Sequence, residues 1–60
     1  MLVIIRKEKG EVICTTTSEQ FARVPLQDEI IRVFGYDGEF VVVAVIHTVN
    51  HGIELVTRRL

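Results

Sequence analysis

The sequence predicts an all-β fold, five strands in one small barrel or one strongly bent meander sheet. Three observations carry that reading. Residues 40–46 are seven consecutive apolar residues, five of them β-branched, and side chains of that kind fit a pleated strand better than a helix. Turn signals rich in Gly, Asn and Asp separate short runs of Val and Ile. No stretch sustains the apolar spacing of an amphipathic helix.

In chain order, residues 1–7 read as a first strand and residues 12–17 as a second, with Gly10 supplying the positive φ of the reversal between them. Leu2 and Ile4 share one face of the first strand, and Val12, Cys14 and Thr16 are the expected inward set of the second. Ser18-Glu19-Gln20 can begin one helical turn, but the stretch to Val24 reads as a loop or extended segment anchored by Phe21. Pro25 holds Val24 extended and denies a ladder bond, so the chain should turn or change sheet edge there.

Residues 29–34 alternate imperfectly as a third strand, and Asp37-Gly38 is a hairpin signal. The central strand follows over residues 39–47. Strict alternation puts Phe40, Val42, Ala44 and Ile46 on one face and Val41, Val43 and Val45 on the other. Asn50 and Gly52 suit the next reversal. Residues 53–58 are the last strand, with Ile53 and Leu55 facing in and Glu54 and Arg58 facing out. Five such strands laid flat would leave one face wet and two edges open, and closure removes both problems.

Sixty residues make a single domain, 1–60, near the lower size limit for folding alone. With 48% hydrophobic and 25% charged residues the composition is that of a folded chain. A net charge of −1 provides no global field to gather nucleic acid or anionic lipid. The one cysteine, Cys14, has no internal disulfide partner. Met1 to Ile5 meets Arg6-Lys7 in the reverse order of a signal peptide. No apolar run reaches the roughly 18 residues of a membrane span. These features imply a cytoplasmic protein with no membrane partner.

Val24-Pro25-Leu26-Gln27-Asp28-Glu29-Ile30, a Gly-containing turn, Phe40-Val41-Val42-Val43-Ala44-Val45 and a final strand together resemble the SH3-like small β-barrels. The resemblance spans residues 24–57 and rests on strand spacing, with Gln27 standing where such barrels place a glycine. It implies that the first and last strands pair antiparallel. Arg6-Lys7 and Arg58-Arg59 would then lie at opposite ends, with no single basic patch. That barrel hosts many functions, so the fold alone does not fix activity.

No catalytic or cofactor signature stands out, and the expected function is a non-enzymatic protein-binding or assembly module without cofactor or metal. His47 and His51 flank a turn, but zinc needs three or four ligands, and only Asn50 and Glu54 lie near in sequence. Cys14 reads as a small core residue. Nothing places it, or Ser18, beside a histidine and an acid. Asp28, Glu29, Asp37 and Glu39 read as a solubilising surface or a contact for a basic partner.

The apolar residues exceed what one interior of this size holds, so the surplus face is expected to bury itself against a second copy. The expected interface of that homodimer is Val41, Val43 and Val45, with Val3 and Ile5. The alternative is a small-barrel nucleic-acid-binding protein using Arg6, Lys7, Arg58 and Arg59, a less favoured partner for a chain of this charge and few aromatics.

Overall fold

The Val-, Ile- and Thr-rich runs form β1 (Leu2–Lys7), β2 (Val12–Thr17), β3 (Ile30–Ile31), β4 (Phe40–Thr48) and β5 (Gly52–Arg59) in a computed structural model that describes residues 1–60. The all-β expectation holds. The five strands make one strongly curled sheet, a half-barrel, in the order β2-β1-β5-β4-β3. No helix is long and apolar enough to cross a membrane.

Two of the three expected hairpins are present. β1 and β2 pair antiparallel around Gly10, whose φ of 106° no β-branched residue would tolerate. β4 and β5 pair antiparallel across a turn in which Asn50 takes a positive φ of 64°.

One pairing differs from expectation. β1 and β5 run parallel, with Leu2 beside Gly52 and Lys7 beside Thr57, where the barrel resemblance implied antiparallel. The reason is the route of the chain. After β2 it crosses to the far edge of the sheet before β3, so β5 returns to β1 in the same direction. The crossing begins with a 3-10 turn, Ser18–Gln20. Phe21 and Val24 pack against the core, and Pro25 is buried, so the segment around Pro25 does carry the change of edge.

The third strand is shorter than the alternation suggested. Only Ile30 and Ile31 pair with β4, and residues 32–39 form a loop instead of a two-residue hairpin. Val33 drops into the core and Tyr36 N–H closes a turn on the Val33 carbonyl at 3.0 Å.

The core lies on the concave side and consists of Val3, Ile5, Ile13, Val33, Phe40, Val42, Ile53 and Leu55. Cys14, Ile5, Leu55 and Val45 form one row across four strands. Leu55 is at its centre and fully buried. The inward set of β1 is therefore Val3 and Ile5, not Leu2 and Ile4. Every residue from Leu2 to Ile5 is apolar, so alternation offered no way to choose between the two faces. On β2, Ile13 is the buried residue while Val12 is 52% exposed. A bulge between Ile5 and Arg6 shifts the register there.

Asp28 N–H donates to Val42 O at 2.7 Å and Val42 N–H to Glu29 O at 2.9 Å, prolonging the pairing along β4 beyond short β3. Arg23 grips Glu29 through two guanidinium bonds, one of 2.7 Å, while Leu26 N–H donates to the same carboxylate at 2.6 Å. The Arg23 hydrogen bonds first, and the Leu26 amide second, hold the Glu29 carboxyl at about 2 against an ordinary 4.5. A carboxyl with a depressed folded value stabilises fully above its unfolded value, and that stabilisation is lost as pH falls through the folded one. The thermal midpoint should therefore fall between pH 4.5 and 2. Glu29→Gln should shallow that fall, checked by melts across the acid range, with a small effect at neutral pH because solvent screens an exposed pair.

Candidate functional site

The outer, convex face is built from the residues that alternate with the core. On β1 these are Leu2, Ile4 and Arg6, paired with Gly52, Glu54 and Val56 of β5. On β4 strict alternation breaks. A bulge lies between Val42 and Ala44, so Val42 pairs with inward Thr57 while Ala44 pairs with Val56 on the outer side. A bulge adds one residue to one strand and reverses the phase beyond it.

Of the expected self-interface, Val41 alone sits clearly on the outer face, paired with Arg58 and Ile30. Val43 is half-buried at the bulge. Val45 pairs with Leu55 and packs against the core. Val3 and Ile5 are 0% and 3% exposed core residues, so neither can meet a partner. The structure instead brings Val12, Leu2, Ile4, Val56, Ala44, Ile46 and Ile30 onto that face, drawing on all five strands. Val12, Ile30 and Ile46 are 52%, 57% and 39% exposed. An ion pair between Arg6 and Glu54, 2.9 Å apart, crosses the middle of this apolar surface.

The parallel register has a second effect. It brings Arg6-Lys7 and Arg58-Arg59 to the same end of the sheet, contrary to the opposite ends expected. With Glu8, Lys9, Glu11 and Thr57, three of them line an open cleft of about 350 Å³. Carboxylates interleave with the cations. Arg6 pairs with Glu54, Lys7 with Glu11 at 3.7 Å, and Arg58 with both oxygens of Glu8 at 2.9 and 3.0 Å. The Arg58 hydrogen bonds hold the Glu8 carboxyl below its ordinary value and, reciprocally, raise the Arg58 guanidinium. Lys9 and Arg59 make no ion pair.

His47 and His51 border an open cleft of about 450 Å³ at the β4–β5 turn, with Met1, Thr48, Val49 and Asn50. No group of three or more His, Cys, Asp and Glu is placed to hold a metal. Cys14 is half-buried against the core on β2, and β1 and β5 lie between it and β4, which carries His47. Ser18 Oγ donates to Glu19 at 3.3 Å. Of the acidic residues, Glu29 pairs with Arg23 and Glu39 with Arg32.

Sequence reasoning missed the edge of β2. This strand ends the sheet, and Tyr36 Oη donates to the Ile13 carbonyl at 3.1 Å from the opposite side of the half-barrel opening. The signal available was the composition Val-Ile-Cys-Thr-Thr-Thr, which holds neither charge nor proline. No protein-family model, curated protein or solved structure matches this chain.

Proposed function

We propose that the protein is a non-enzymatic binding or assembly module that self-associates through the convex face of its sheet. The supporting observation is the spread of apolar side chains over that face from all five strands, three of them more than a third exposed. Apolar surface gathered on one face of a small domain, here divided by the Arg6–Glu54 pair, marks an interaction site. A twofold pair of copies covers such a surface with the fewest components. The interface of this proposal is Val41, Ile46, Leu2 and Ile4: the bulge in β4 replaces Val43 and Val45 by Ile46, and the inward facing of Val3 and Ile5 replaces them by Leu2 and Ile4.

Ile46→Lys tests it. The new ammonium would stand opposite Glu54 in the ladder, a pairing that favours the monomer fold. Sedimentation at micromolar concentration should give a dimer for the parent chain and a monomer for the variant, with unchanged far-ultraviolet circular dichroism. A parent chain that sediments as a monomer ends the proposal.

The shared basic end favours a second reading, contact with nucleic acid through Arg6, Lys7, Arg58 and Arg59 together with unpaired Lys9. It ranks below the first because Glu8, Glu11 and Glu54 are paired with three of those cations. Oligonucleotide binding followed by anisotropy should weaken steeply with salt, each phosphate contact adding about 0.7 to the log–log slope on a single strand. Arg59→Ala with Lys9→Ala should reduce that slope. No binding at low salt removes this reading.

A further inference from the structure

We propose that the open edge of β2 is a strand-acceptor site for an extended peptide that is apolar at alternate positions and basic at its flanks. The two edges of the sheet are built differently. At the β3 edge the strand is two residues long, the backbone of Asp28 and Glu29 prolongs its pairing, and the Arg23–Glu29 and Arg32–Glu39 pairs place charge along it. Short strands and charges are the devices that protect an edge from added strands. β2 carries neither charge nor proline over its six residues, and its one irregularity, the bulge at Ile13, lies before Cys14.

The backbone phase fixes which groups are free. Ser18 N–H donates to Met1 O at 2.8 Å, so Ser18 faces β1. In an antiparallel ladder the N–H and C=O of successive residues turn alternately toward and away from the neighbour. Cys14 and Thr16 therefore bond toward β1, and Thr15 and Thr17 present their backbone groups outward. The Ile13 carbonyl is occupied by Tyr36 Oη and the Thr17 carbonyl opens the 3-10 turn, which leaves both backbone groups of Thr15 and the N–H of Thr17 facing the open edge. The accessible edge is centred on Thr15 and reaches the N–H of Thr17, with Tyr36 bounding one end and the 3-10 turn the other.

A groove of about 270 Å³ adjoins this stretch on the concave side, lined by Ile5, Cys14, Thr16, Phe21, Val33 and Phe34 together with Gln20 and Arg32, the latter paired with Glu39. The Phe34 side chain is fully exposed at its rim. A strand bonded to β2 would direct the side chains opposite Cys14 and Thr16 into this groove. Those opposite Thr15 and Thr17 would face solvent, which sets the alternation expected of the peptide. Strand addition of this kind draws affinity from main-chain bonds and specificity from pockets for alternate side chains.

Charge and the filling of the groove decide the occupant. Glu11, paired with Lys7 at 3.7 Å, and Glu19, paired with the N-terminal ammonium at 3.3 Å, bracket β2 with side chains still 67% and 69% exposed. Such solvent-exposed pairs neutralise a carboxylate only weakly. A second copy paired antiparallel about Thr15 would set Glu11 against its partner's acidic flank, a like-charge contact. Edge pairing alone covers only about 20 by 10 Å for either occupant, so the side chains that enter the groove must supply the rest. A flexible peptide with lysine or arginine beyond its apolar positions avoids the repulsion and also fills the groove.

The test uses a synthetic peptide of alternating valine and threonine with lysine at each end, titrated into the isotope-labelled protein. Saturable shifts should appear at the amides of residues 14–17 and at Phe34. N-methylation of the peptide amides that face β2 should weaken binding about tenfold or more, since one lost hydrogen bond is worth about that factor. Thr15→Pro removes an outward N–H and no ladder bond, and should abolish the shifts; Phe34→Ala, at an exposed side chain, should weaken them. Equal binding of the N-methylated peptide, shifts confined to the convex face, or concentration-dependent changes at β2 without peptide would each overturn the proposal. The peptide comparison decides the matter even if Thr15→Pro fails to fold.

Discussion

Leu55→Ala is expected to remove about 2–5 kcal/mol of stability, the range for truncating a buried leucine. Leu55 is fully buried in the middle strand of the sheet, with Ile5 on one side and Val45 on the other. Because β5 lies between β1 and β4, neither neighbour can move into the vacated space without giving up its own pairing. At about 0.05–0.15 kcal/mol per residue the 60-residue chain has only about 3–9 kcal/mol in total. The variant should thus be largely unfolded or melt tens of degrees lower, read by circular dichroism in urea and on heating. Val49→Ala, at an 86% exposed position in the hairpin turn, should stay within about 0.5 kcal/mol of the parent. If the convex face joins two copies, Leu55→Ala should also lower the dimer fraction, whereas Ile46→Lys lowers it without lowering monomer stability. The two variants separate a folding defect from an interface defect.

The strands other than β3 were legible because their signals are local. Glycine at the reversal before β2, Asn50 at the last turn, and the β-branched run of β4 each act within a few residues. What local pattern could not supply was the facing of β1 and β4 and the direction of β1 against β5. Leu2, Val3, Ile4 and Ile5 are all apolar, so only tertiary pairing decides that Val3 and Ile5 go inward. In β4 the run of valines hides a bulge, since any of them can be the extra residue without a change in composition. The parallel pairing depends on where the crossing between β2 and β3 delivers the chain, a long-range event without a sequence period. Both candidate surfaces inherit these unknowns: the bulge redraws the convex face, and the parallel register gathers the basic residues.

That register depends on Gly52. A Cβ at this position would lie 2.5 Å from the carbonyl oxygen of Leu2, a backbone atom of the adjacent strand. The two residues form the first rung of the parallel ladder, so Gly52→Ala must push β1 away or distort the β4–β5 turn. The expected cost is about 1–3 kcal/mol, as for other overpacked sites. Gly35→Ala is the matched control: its added Cβ meets nothing within 4 Å, and only its positive φ of 92° is strained. The damage should also be polar along the ladder. At the far end Thr57 Oγ1 donates to Arg6 O at 3.0 Å and Glu8 N–H to Thr57 O at 3.2 Å, and neither bond involves Gly52. Amide exchange in Gly52→Ala should therefore quicken at Leu2, Val3 and Ile53 while the amide of Glu8 keeps its protection. Uniform quickening along β1 would mean instead that the pairing opens as one unit, and that the basic end is only as ordered as the rung at Gly52.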